Sequence, residues 1–120
     1  MKKVYYLMAV IVLIIFNSSC NKDKAEQIHT FHNVQLVNSA FDPDILNINV
    51  GDTVRWTNSS ANYHNVNGTL ADFPENVESF GGFPEDQDWT FEHIFNTPGS
   101  YDYRCDAHPT NMTGEFFWNT

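Results

Sequence analysis

Between residues 46 and 56 apolar and polar positions alternate. Leu46, Ile48 and Val50 are separated by Asn47 and Asn49, and after Gly51-Asp52 the alternation resumes with Val54 and Trp56. A period of two puts such side chains on one face of a pleated strand, so the pattern predicts two half-buried strands joined at a turn. Trp89, Phe91 and Phe95 alternate again, Asn96-Thr97-Pro98-Gly99 marks a turn, and Tyr101, Tyr103 and Cys105 share the next inward face. Phe116 and Trp118 supply a last strand. Beyond Ile28 no stretch sustains the 3.6-residue apolar period of a helix. Short strands and frequent Gly, Pro and Asn turns over about 90 residues predict an all-β, two-sheet sandwich. Residues 67 to 88 break the pattern with Gly68, Pro74, Gly81, Gly82, Pro84 and six acids, Asp72, Glu75, Glu78, Glu85, Asp86 and Asp88. They predict a long loop with room for a short helical turn, of the kind that is functional or mobile.

The amino end follows a different rule. Met1-Lys2-Lys3 precedes an unbroken apolar or aromatic run, Val4 to Phe16, and then Asn17-Ser18-Ser19-Cys20. This is the layout of a secretory signal, and the run is short of the ~20 apolar residues that a membrane-crossing helix needs. Small residues before a cysteine, then polar Asn21-Lys22-Asp23-Lys24, resemble a bacterial lipoprotein signal, which implies lipidation at Cys20. The expected organisation is a signal over 1–19, a polar tether over 20–27 and one domain over 28–120.

Charge narrows the function classes. The 120 residues carry 15 Asp and Glu against 6 Lys and Arg, a formal charge of -9. Removal of residues 1–19 takes Lys2 and Lys3 away and leaves four basic against 15 acidic residues, or -11. No basic run remains to bind nucleic acid, and the field steers towards basic partners. Ten Phe in a chain that is 15% aromatic exclude a disordered acidic polypeptide and require a packed core.

If Cys20 is lipidated, Cys105 is the only thiol in a compartment that oxidises thiols. It is either a buried inert Cys, the partner of Cys20 where no lipid is added, or a metal thiolate. Its neighbours favour the last: Cys105, His108 and Met112 place a thiolate, an imidazole and a thioether within eight residues at the end of a strand. Thiolate with thioether selects copper, and two imidazoles with one thiolate and a weak axial Met make an electron-transfer site. His64, in Asn62-Tyr63-His64-Asn65-Val66, is the candidate for the second imidazole. His29 and His32, three apart on a predicted strand, point to opposite faces, and with His93 they read as structural or solvent-facing.

Phe41-Asp42-Pro43, Val50-Gly51-Asp52-Thr53-Val54-Arg55-Trp56, His64-Asn65-Val66, Phe95-Asn96-Thr97-Pro98-Gly99-Ser100-Tyr101 and the Cys105, His108, Met112 loop together resemble the plastocyanin-like blue copper proteins, the cupredoxins. The resemblance implies a Greek-key β-sandwich with one type 1 copper on His64, Cys105, His108 and Met112. It also implies that Asn65 ties the His64 loop to the cysteine loop near Cys105 or Asp106. The chain departs from the family in having Ala107 before the second His and Asn111 before the Met.

Four protein ligands leave no open coordination position, so the expectation is a monomeric one-electron carrier of the bacterial cell envelope, not an enzyme. The expected partner is a basic, cytochrome c-like redox protein. The alternative function is a copper carrier or scavenger that hands over the ion itself.

Overall fold

The computed structural model describes residues 25–119, which contain nine β-strands and no helix. The strands are β1 Phe31–Val37, β2 Ala40–Asp42, β3 Ile45–Ile48, β4 Thr53–Asn58, β5 Asn67–Gly68, β6 Phe80–Gly81, β7 Trp89–Ile94, β8 Tyr101–Arg104 and β9 Thr113–Trp118. They form a four-stranded sheet in the order β2-β1-β4-β7 and a five-stranded sheet in the order β3-β9-β8-β5-β6. Both are mixed: β1 runs parallel to β4 and β3 parallel to β9, the remaining pairs being antiparallel. This is the all-β sandwich that the alternating pattern predicts. The expected signal over 1–19 and most of the 20–27 tether, Cys20 included, lie outside the described residues.

Alternation explains which face of each strand is buried. Val34 and Leu36 of β1, Val54 and Trp56 of β4, and Tyr101 and Tyr103 of β8 point inward, while Asn33, Gln35 and Asp102 do not. Trp56 lies at the centre. Its ring stacks on Phe91 at 5.4 Å and Phe80 at 5.8 Å between centroids, and meets Tyr103 at 5.6 Å and Phe116 at 5.8 Å. Burial on this scale makes truncation of Trp56 to Ala cost about 3–5 kcal/mol.

At one pole, Asp52 is fully buried in the turn before β4. Its carboxylate accepts from the backbone N–H of Thr30 at 2.8 Å and of Asn49 at 2.9 Å, and pairs with His32 Nε2 at 2.8 Å. These bonds tie the chain ahead of β1 to the β3–β4 turn. The same turn requires glycine at Gly51, where φ is +86° and a Cβ would fall 2.3 Å from the His29 ring. His32 is therefore structural. From this pole the six residues of β4 carry the chain about 20 Å to the opposite end, where the His64 segment begins.

The stretch from 67 to 88 is more ordered than a plain loop. It contains two short strands, with Asn67 opposite both Gly81 and Arg104, and a single turn closes at Thr69, whose carbonyl accepts from Asp72 N at 3.2 Å and Phe73 N at 2.8 Å. Between the two strands Asn76 is buried; its Nδ2 donates to the carbonyls of Gly68 and Asp102 at 3.1 and 2.8 Å, and its Oδ1 accepts from Asp102 N at 2.8 Å. The short apolar runs here hide these strands, because two-residue strands carry no detectable period.

Candidate metal centre

Cys105 directly follows β8, with its side chain fully buried. Its backbone N–H donates to the carbonyl of Met112 at 2.9 Å. Within the loop so closed, His108 N donates to Cys105 O at 3.1 Å, and Met112 N to His108 O at 3.0 Å. Met112, also fully buried, then leads into β9. The loop is thus a hydrogen-bonded turn that holds three of the four candidate ligands.

The fourth comes from the connection between β4 and β5. His64 is buried and forms an isolated bridge with Asp86, each backbone N–H donating to the other's carbonyl at 3.1 Å. The indole Nε1 of Trp89 donates to the His64 carbonyl at 2.9 Å. With its backbone held on both sides, His64 presents Nδ1 to Cys105 Sγ at 3.6 Å. Nitrogen and sulfur ligands at about 2.0–2.3 Å from one ion stand at about this separation. Burial first, and the nearby charge of His108 second, keep the His64 imidazole below its usual pKa range. The ring is therefore neutral near pH 7, the form that binds metal.

The His108 ring packs against that of His64, 5.2 Å between centroids. It is half-buried, and its Nε2 lies 3.5 Å from Ser39 Oγ in the β1–β2 turn, which leaves Nδ1 as the nitrogen free for an ion. Among the described residues no three His, Cys, Asp or Glu side chains are gathered as tightly as ligands on one ion. His64 and Cys105 are in contact, and His108 stands one ring beyond. A thiol, two imidazoles and a thioether carried on these two segments are the donor set of a soft, copper-selecting site.

Asn65, next to His64, joins the two ligand-bearing segments. Its Oδ1 accepts from Asp106 N at 2.8 Å, its Nδ2 donates to Asp106 Oδ2 at 2.8 Å, and its backbone N–H points at Cys105 Sγ at 3.5 Å. Asp106 receives further bonds from Asn67 and Arg104. Asn67 does not stand out in the sequence, since its relation to Asp106 depends on β5 pairing with β8. His93 is remote from the site; it faces inward on β7, pairs with Glu78 at 2.9 Å and packs on Phe80 and Phe95.

Residues 28–117 match the profile of the copper binding proteins of the plastocyanin/azurin family. Amicyanin-alpha of Methylorubrum extorquens is 33% identical over 76 residues, and amicyanin of Paracoccus denitrificans 30% over 76 residues. Each match covers 63% of this chain, and 62% and 56% of those proteins respectively. The fold is similar to that of a reduced Cu(I) form of an amicyanin variant, with a TM-score of 0.61 at 27% identity over 73% of this chain and 81% of that one. It is also similar to part of the copper-containing nitrite reductase of Thermus scotoductus, with a TM-score of 0.62 at 26% identity over 74% of this chain and 22% of the enzyme.

Proposed function

The chain belongs to the plastocyanin/azurin family of copper-binding proteins, and from that membership we propose that it is a one-electron carrier with a single type 1 copper held by His64, Cys105, His108 and Met112. The observation that supports this reading most is the contact of a buried thiol with a buried imidazole, Cys105 Sγ to His64 Nδ1 at 3.6 Å. When bound, copper supplies a Cu(I)/Cu(II) couple that a thiolate, a thioether and two imidazoles accommodate in both states.

The residues of the chain do the rest. Buried Cys105 and Met112 keep water from the sulfur donors. The Cys105–Met112 backbone bond and the Asp86 and Trp89 bonds to His64 hold the donors, so little rearranges as charge changes. Half-buried His108, flanked by exposed Ala107, Pro109 and Thr110, is the ring through which an electron would enter or leave. Four protein donors leave no position for a substrate, which favours carriage over catalysis. The reading includes export, a lipid anchor at Cys20 and a basic redox partner of the cytochrome c kind.

The test is a visible absorption spectrum of the purified protein after addition of Cu(II), followed by voltammetry and a challenge with a copper chelator. An intense thiolate-to-copper band, reversible reduction and slow loss of copper are expected. A colourless protein would overturn the copper site, and rapid transfer of copper to the chelator would make the protein a carrier of the ion.

A further inference from the structure

Asp106 stands immediately after Cys105, and its carboxylate collects donors from three side chains on two segments. Asn65 Nδ2 donates to Oδ2 at 2.8 Å, Asn67 Nδ2 lies 3.0 and 3.1 Å from the two oxygens, and Arg104 Nε donates to Oδ1 at 3.1 Å. The Asn67 amide has a defined orientation, because its Oδ1 accepts from Thr69 N at 3.1 Å and Thr69 Oγ1 at 2.9 Å. Its two N–H groups are thereby directed at two acids, Asp106 and, at 2.8 Å, Asp72 Oδ2. Arg104 bridges the same two acids, with Nη2 3.2 Å from Asp72 Oδ1, and its guanidinium lies 5.5 Å from the centroid of the Phe73 ring.

We propose that Arg104, Asn67 and Asp72 are positioning residues: together they hold the Asp106 carboxylate against Asn65, and so His64 against the Cys105 loop, and Arg104 offsets the negative charge that this network places beside the metal. The proposal rests on the copper reading and gives a role to one acid of the 67–88 stretch, Asp72, which faces the site instead of a partner. Two carboxylates around one guanidinium leave one net negative charge. Removing Arg104 doubles it, while replacing Asp106 by Asn abolishes it and sets a fourth N–H group among donors that need an acceptor. Negative charge near the ion favours Cu(II) over Cu(I), so the two changes push the reduction potential in opposite directions.

The experiment compares wild type with Asp106→Asn, Arg104→Gln and Asp72→Asn in the full chain. Voltammetry of the copper-loaded proteins should show the potential raised in Asp106→Asn and lowered in Arg104→Gln. Amide hydrogen exchange on the metal-free proteins should be faster at positions 65 and 106 in Arg104→Gln and Asp72→Asn, by roughly fivefold for the loss of about one net hydrogen bond. Arg104 and Asp72 are both partly exposed, so these two variants keep the core intact. Potentials that stay fixed or move in the same direction would overturn the charge balance, and unchanged exchange would overturn the positioning role. A wild type that forms no coloured copper site would instead sink the functional reading, and the exchange arm would still decide the positioning role.

Discussion

The backbone N–H of Cys105 donates to the carbonyl of Met112 at 2.9 Å, so the residues that begin and end the ligand loop are bonded to one another by the chain itself. The sulfur atoms of the site are therefore set by a backbone turn, and substitutions of either side chain leave that turn in place. This makes the two sulfur ligands separable by mutation.

Cys105→Ser should remove the intense colour of the copper-loaded protein, since the oxygen of serine cannot supply the thiolate-to-copper charge transfer. The far-ultraviolet circular dichroism should be unchanged. A variant that keeps the colour would show that Cys105 is not a ligand.

Met112→Gln replaces a soft thioether by a harder oxygen donor that stabilises Cu(II), so the potential should fall. Met112 is fully buried, and the change should also cost about 1–3 kcal/mol of stability in the metal-free protein. An unchanged potential in voltammetry would remove Met112 from the axial position.

Association with a basic cytochrome should be fast at low salt and slow steeply as the Debye length shrinks from ~30 Å at 0.01 M to ~10 Å at 0.1 M. Glu75, Glu85, Asp86 and Asp88 are exposed and available for this attraction, whereas Glu78 is paired with His93 and Asp72 with Arg104. Neutralising the first four should flatten the salt dependence of the stopped-flow rate more than neutralising Glu78. A rate independent of salt would exclude electrostatic steering.

At the opposite pole, burial opposes ionisation of Asp52, but the donors of Thr30, His32 and Asn49 outweigh it and hold the carboxyl below its usual range. A carboxylate with a lowered folded pKa contributes stability that is present above its unfolded value of about 3.9 and is lost as pH falls through the folded value. Asp52→Asn should therefore cost about 2 kcal/mol in urea unfolding at pH 7. The gap to wild type should narrow in acid below about pH 4. A gap of constant size at both pH values would show that the charge of Asp52 is not what stabilises the turn.

The long strands and the candidate ligands are legible in the chain because each is a local signal. Leu46, Ile48, Val54 and Trp56 alternate, and Cys105, His108 and Met112 share one turn. What escaped the sequence consists of contacts between distant segments. Asn67 meets Asp106 only after β5 has paired with β8, and Asn76 reads as one more polar residue of an acidic stretch until its side chain is seen clasping Gly68 and Asp102. His32 is read as structural or solvent-facing without a partner, and its partner, Asp52, reads as an ordinary turn residue twenty positions away. The departure of the β5 and β6 strands from the expected loop has the same origin, since their pairing is set by neighbours and not by their own two residues.

The order of strands also decides what the last strand completes. In the five-stranded sheet β3 touches only β9, and β9 separates β3 from β8. A chain that ends at Asn111 lacks the strand that joins β3 to β8, and β3 has nothing to pair with. Closure needs residues 113–118, and Met112 comes with them. The five-stranded sheet and the fourth sulfur-or-nitrogen donor are thus completed by the same short stretch, so a chain cut before Met112 loses a ligand and the partner of β3 together.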